Sequence, residues 1–405
     1  YAQEEIATHG DETPIHWIHR IERYGEKLAT PDVSVADLIG DIDPIKAANL
    51  KLSFADERVI HYGIIPRSNR GIFVINELPD LQARIQVALF NILEEGDVQI
   101  RGFKLRLPLD ILFVFTANPE DYTNRGSIVT PLKDRIESQI LTHYPKSLEQ
   151  ALEITEQEAV IDKDQQSRVE ISDLVKRLIE QVAFEARNSE LVDKKSGVSA
   201  RLTISAFENA ISAAERRAII NQEKRTQVWI SDLAGIIPSI TGKVELVYEG
   251  EQEGPFQVAM NLVDKAIRSQ FTQFFPNPEQ MKKRKKTGDP RGGKTTAEET
   301  KDDNPYRPVT QWFDKGNHLN ISFGTSDKDK QILLYKVDGL HAVVKKYYPG
   351  VNEEQAALLM EFVLHGLASY SLISKKMFES KVEFKDLMGS MMDFGEKDFE
   401  FDEEA

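Results

Sequence analysis

The stretch Gly71-Ile-Phe-Val-Ile-Asn-Glu77 constrains this chain more than any other. Its four apolar residues, Ile72 to Ile75, read as a fully buried strand, and a carboxylate follows where that strand emerges. Ile111-Leu-Phe-Val-Phe-Thr-Ala-Asn118-Pro119 repeats the pattern, this time with an amide at the exit. Beyond it, Pro131-Leu-Lys-Asp-Arg135 sets a basic residue in a short polar turn. Two parallel-type strands presenting Glu77 and Asn118 at their carboxyl ends, with Arg135 downstream, form the layout of a nucleotide-hydrolysing site in an open α/β sheet, where ligands sit beyond the strand ends.

Hydrolysis of ATP needs a group that orients water against the γ-phosphate, a magnesium ion, and positive charge for the transition state. Glu77 is placed to polarise the water and Asn118 to hold that water or touch the γ-phosphate. Arg135 is placed to supply charge in trans to the next subunit of a ring. Taken alone, Glu77 is an ordinary solvated carboxylate at a strand end; beside Asn118 and Arg135 the hydrolytic reading prevails.

The rest of the chain fits such a core with helical additions. A first α/β unit runs over 1–145, with a helix expected near His16–Leu28 and an amphipathic helix over Leu81–Glu95. The alternating segment 96–108, around Arg101-Gly102-Phe103, reads as a β-hairpin inserted before the Asn118 strand. Residues 146–275 read as four helices with little strand signal, near 147–161, 171–187, 202–221 and 256–275. A basic polar stretch over 276–308, containing Lys282-Lys-Arg-Lys-Lys286, reads as a disordered linker. Residues 309–405 are expected to form a last, mostly helical domain that ends in an acidic tail. Trp312, Phe313, Tyr347 and Tyr348 are expected to anchor its core rather than line a ligand box.

A length of 405 residues calls for about two or three domains. The absence of cysteine excludes a disulfide scaffold, a thiolate metal site and a thiol nucleophile. His16, His19 and His61 have no convergent metal spacing, so no zinc is assigned. A net charge of −15 argues against broad nucleic-acid binding, which needs a basic face. No apolar run is long enough to span a membrane and no signal peptide is visible, so a cytoplasmic location is expected. The chain opens on Tyr1 rather than Met, and a segment upstream is expected to be missing.

Gly63-Ile-Ile-Pro-Arg-Ser-Asn-Arg-Gly-Ile-Phe-Val-Ile-Asn-Glu77 resembles the segment leading into and including Walker B in the magnesium-chelatase ATPase subunit, in the AAA+ branch that also holds the MoxR-type proteins. The hairpin, the Thr116-Ala-Asn118-Pro-Glu segment and Leu132-Lys-Asp-Arg135 resemble that branch in the same order. The likeness covers residues 33–145 and extends more loosely to about residue 222. It implies an α/β AAA+ core with a parallel sheet, a β-hairpin insertion and a helical lid. It also implies a homo-oligomeric ring, usually hexameric, that binds ATP and Mg2+ between subunits. Carried over residue by residue, Glu77 matches the Walker B glutamate, Asn118 the sensor-1 asparagine and Arg135 the arginine finger. Arg201, in Gly197-Val-Ser-Ala-Arg201-Leu-Thr-Ile, matches the sensor-2 arginine. Related ATPases act with a partner carrying a von Willebrand A domain. No Asp-x-Ser-x-Ser motif occurs here, so such a domain is expected on another chain.

Two departures stand out. The Walker B aspartate position holds Asn76, whose neutral amide can bind magnesium through water but adds no charge to the ion's surroundings. No Gly-Lys-Ser/Thr loop precedes Glu77. The formal match Gly288-Asp-Pro-Arg-Gly-Gly-Lys-Thr295 follows a basic run rather than a buried strand, and it reads as a decoy. The resulting expectation is an AAA+ ATPase whose hydrolysis drives remodelling of a partner protein. The rivals are a degenerate AAA+ scaffold without hydrolysis and a DNA-linked regulator or motor.

Overall fold

The computed structural model describes residues 2–100, 103, 106–118, 127–283, 304–378 and 380–387. Two units, 1–142 and 143–405, each enclose a separate core. In the first unit, strands β1 (Tyr24–Leu28), β2 (Ile72–Asn76) and β3 (Leu112–Phe115) form a parallel sheet in that order. The register sets Ile75 between Lys27 and Phe115, so the carboxyl ends of all three strands lie level.

The sequence reads the Ile72–Ile75 and Ile111–Phe115 stretches as fully buried strands, but in the structure they alternate. Phe73 and Ile75 are buried, whereas Ile72, Leu112 and Val114 remain 41%, 62% and 40% exposed. Phe73 meets Phe113 edge to face, and both belong to the cluster that holds Ile85, Leu89 and Ile92. The reason for the alternation is that the covering elements pack on one face only. Among the described residues nothing closes the other.

A second correction concerns His16–Leu28, expected as a helix. Here the chain makes a single 3-10 turn, Arg20–Arg23, and then enters β1. Pairing with β2 overrides local preference, because five backbone positions gain ladder partners along that edge. Gly25 makes the close approach possible: a Cβ there would lie 2.6 Å from Ser68 Oγ. The Arg23 guanidinium donates from Nε and Nη2 to the Arg70 carbonyl at 3.0 and 2.8 Å, fastening the strand's entry.

The amphipathic segment 81–95 forms two short helices, Ala83–Ala88 and Phe90–Glu95, that break at Leu89. The hairpin is present, Asp97–Gln99 pairing antiparallel with Arg106–Pro108 and Arg106 bonding Asp97. Arg101 and Gly102 lie outside the described residues.

The second unit is mainly helical. Helices α1 (Leu148–Glu158), α2 (Asp173–Asn188), α3 (Arg201–Ile220) and α4 (Pro255–Phe274) fall where the apolar spacing puts them. Ser147 and Ser172 cap the first two by accepting from Gln150 N–H and Val175 N–H. The chain continues through α5 (Asp327–Tyr335), α6 (Leu340–Tyr347) and α7 (Glu353–Ser369). Strands β4 (Leu319–Ser322), β5 (Ser374–Met377) and β6 (Lys381–Lys385) make a small antiparallel sheet with β6 in the centre.

The sequence sets 309–405 apart as a last domain. In the structure the described part of that segment shares one hydrophobic core with 143–275. Phe271 of α4 packs against Tyr306, Phe362 and Tyr370, aromatic rings from the later segment. Gly366 makes room for it, since a Cβ there would stand 2.1 Å from the Phe271 ring. Phe313 is buried, and Trp312, Tyr347 and Tyr348 are partly buried against the same cluster, so these aromatics are core anchors. The Gly288–Thr295 stretch, most of the basic run and the acidic tail lie outside the described residues. No described helix is long and apolar enough to cross a membrane.

Candidate active site at the strand ends

The carboxyl ends of β2 and β3 are joined through one side chain. Thr116 Oγ1 accepts from the backbone N–H of Glu77 at 3.1 Å and donates to Asn76 Oδ1 at 3.3 Å. Its backbone N–H donates to the Ile75 carbonyl and its carbonyl accepts from Leu78 N–H, at 3.0 and 2.9 Å. On the other flank Ala29 N–H donates to the Asn76 carbonyl at 2.8 Å, so β1 holds the same turn. The Asn76-Glu77-Leu78 backbone is therefore fixed from both neighbouring strands.

At Glu77 the chain turns sharply. The residue has φ 56° and ψ 51°, the left-handed region that suits glycine, and it opens a 3-10 turn, Leu78–Asp80, whose Leu78 and Pro79 are buried. The buried pair anchors the turn below, and the Glu77 side chain is only partly covered. Among the described residues its carboxylate has no hydrogen-bond partner, in contrast to its fastened backbone. An anchored main chain with an uncommitted carboxylate is the arrangement expected of a group that must meet water or ligand in a fixed place.

Asn118 lies two residues beyond Thr116, exposed, on the continuation of β3. Asn76, Glu77 and Asn118 thus emerge at one end of adjacent strands, as the sequence pattern implies. The role of Thr116 was not singled out there. That role comes from the register, which sequence alone does not give: with Ile75 opposite Phe115, the next pair is Asn76 and Thr116.

Arg135 sits at the carboxyl end of the short helix Thr130–Asp134. It is engaged within its own unit, donating from Nε to Glu94 Oε2 at 2.8 Å and from Nη1 to the Pro131 carbonyl at 2.8 Å. Its guanidinium also lies 5.0 Å from the Phe90 ring centroid. Arg201 belongs to the second unit, where it is exposed at the first position of α3 and its N–H donates to Ser199 Oγ at 3.1 Å. A cation there adds to the positive end of the helix dipole, an unfavourable placement unless an anion is met.

One carboxylate, two amides and a hydroxyl suit a network of water around a magnesium-bound phosphate. Among the described residues no group of three or more acidic or histidine side chains could hold a metal ion by itself. With Asn76 in place of a carboxylate, magnesium at this end of the sheet would depend on the nucleotide's own phosphates and on water for its ligands.

No family model matches the chain. Over 116 residues it is 26% identical to the magnesium-chelatase 38 kDa subunit of Cereibacter sphaeroides, a match covering 28% of this chain and 34% of that protein. The chain thus spans about a third of the length of the curated relative it matches. Among solved structures, the BchI–BchD complex of magnesium chelatase matches at 18% identity with a TM-score of 0.27, over 57% of this chain and 72% of that one. NtrX from Brucella abortus in complex with ADP matches at 13% identity with a TM-score of 0.33, over 64% and 53%. The fold itself is read from this chain's own parallel sheet. In motif order and strand-end geometry, and over the matched residues, the chain is similar to AAA+ ATPases of the magnesium-chelatase type.

Proposed function

We propose that this chain supplies the water-orienting part and the interface arginine of an ATP- and Mg2+-dependent hydrolytic site in a homo-oligomeric, six-membered ring, and that turnover there remodels a partner protein. The observation that carries the reading is the Thr116 bridge, which fixes Asn76 and Glu77 at the exits of two parallel strands. Glu77 is the base that polarises the attacking water. Asn118 holds that water or the γ-phosphate, and Asn76 contributes a hydrogen bond to magnesium-bound water. Arg201 meets the nucleotide from the lid. A von Willebrand A-domain protein on another chain is the proposed kind of partner, and the cytoplasm the proposed location.

Arg135 serves as the finger that reaches the neighbouring subunit's nucleotide. Its bond to Glu94 does not prevent this: a partly exposed ion pair contributes about 0–1 kcal/mol, and a charge-assisted bond to phosphate exceeds that. Subunit mixing tests the interface. Full-length Arg135→Ala and Glu77→Gln proteins are each expected to be inactive in ATP hydrolysis. An equal mixture should regain activity, because roughly a quarter of randomly formed head-to-tail interfaces would hold both native residues. A mixture as inactive as its components sinks the trans assignment.

Thr116→Val offers a milder probe, retaining the strand and removing the bridge. Turnover is expected to fall by about ten- to a hundredfold through misplacement of Glu77, with the melting temperature nearly unchanged. Native turnover in this variant would show that the bridge has no catalytic consequence.

A second reading, a nucleotide-binding scaffold without hydrolysis, is favoured by Asn76, whose Oδ1 already accepts from Thr116. Nucleotide binding by the native protein with no turnover at any magnesium concentration would establish it.

A further inference from the structure

At the end of α3 opposite Arg201 lies a cluster of buried charges that the proposed chemistry does not use. Arg217, 2% exposed, grips Asp232 with a two-pronged contact, Nε to Oδ1 at 3.1 Å and Nη2 to Oδ2 at 2.9 Å. Nη2 also donates to Thr226 Oγ1 and the Gln227 carbonyl at 3.0 and 2.9 Å, and Nη1 donates to Asp327. Asp327, at the first position of α5, accepts further from Trp229 Nε1 at 2.7 Å. Lys330, fully buried, donates to Ser231 Oγ at 2.7 Å, and Glu361 of α7 accepts from Ile230 and Ser231 N–H at 2.9 and 3.3 Å.

The loop that leaves α3 is therefore wired to two helices of the segment 304–387. Burial pushes the Lys330 ammonium down and the Glu361 carboxyl up, against their charged forms. Burial opposes the Arg217 charge as well, yet Asp232 and Asp327 hold its pKa above the ordinary value. A well-packed apolar cluster would be as stable or more so, which leaves register as the property that such an assembly adds.

Register matters here because α3 is a rod. Arg201 and Arg217 are about 24 Å apart along it, and Ala206, Ala210, Ala214 and Ala218 are all fully buried on one side. Fixing the Arg217 end and the buried side fixes the axial position and rotation of the Arg201 end. We propose that Arg217 and Asp327 are positioning residues for Arg201, so that the segment 304–387 sets where the lid presents that guanidinium to nucleotide. This rests on the reading of Arg201 as a nucleotide contact.

A double-mutant cycle on magnesium-ADP affinity in the full-length protein tests it. Arg201→Ala and Asp327→Asn are each expected to weaken binding by about tenfold, and the double variant is expected to be no weaker than Arg201→Ala alone. Independent, multiplying losses would make Asp327 a structural residue only and overturn the proposal. Native affinity in Arg201→Ala would instead overturn the reading of Arg201, and the proposal with it. Thr226→Val, which removes one hydroxyl between Arg217 and Asp327, replaces Asp327→Asn should that variant fail to fold. The same pattern of non-additivity is expected from it.

Discussion

Glu77→Gln in the full-length protein is expected to leave nucleotide bound and to lower turnover by about 10²–10⁴-fold, the range of a lost general base. The substitution preserves volume and the ability to hydrogen-bond, so a structural role would survive it. What it removes is negative charge and basicity, the two properties needed to take a proton from the attacking water. The backbone contacts that fix position 77 come from Thr116 and Asp80 and do not involve the carboxylate, so the fold should be indifferent to the change. Steady-state hydrolysis beside equilibrium binding of a nucleotide analogue separates the two effects. Turnover equal to that of the native protein would end the assignment of Glu77.

The largest expected effect on stability lies in the other unit. Arg217→Met leaves Asp232 buried and Asp327 partly buried without their common cation, and removal of one partner from a buried ionic group costs about 3–5 kcal/mol. For a unit of this size that corresponds to a fall in melting temperature of roughly 10 °C. Arg217→Met combined with Asp232→Leu should recover part of the loss, because the second change removes one of the stranded charges. A loss below about 1 kcal/mol in the single variant would mean that water reaches the cluster and screens it.

Much of the strand-end geometry was legible in the sequence because strand exits are marked by a change of chemistry. Ile72–Ile75 followed by Glu77, and Ile111–Phe115 followed by Asn118, locate two strand ends without any knowledge of pairing. The bridge between them was not legible, since Thr116 acquires its role only from the register that sets it against Asn76. β1 was missed for a related reason. Tyr24-Gly-Glu-Lys-Leu28 lacks an apolar run, and only the ladder to β2 makes it a strand. The unity of 143–275 with 304–387 depends on contacts such as Phe271 with Phe362, and Arg217 with Asp327. A hydrophobic pattern reports that each helix has a buried face but not which partner covers it.

The left-handed turn at Glu77 sets stability against chemistry at a single position. For any residue with a Cβ this conformation costs on the order of 1–2 kcal/mol, whereas glycine adopts it freely. A search for stabilising substitutions that scored only the folded state would therefore favour glycine at 77, and would delete the carboxylate by doing so. Thermostable variants of this protein should be sought elsewhere on the sheet.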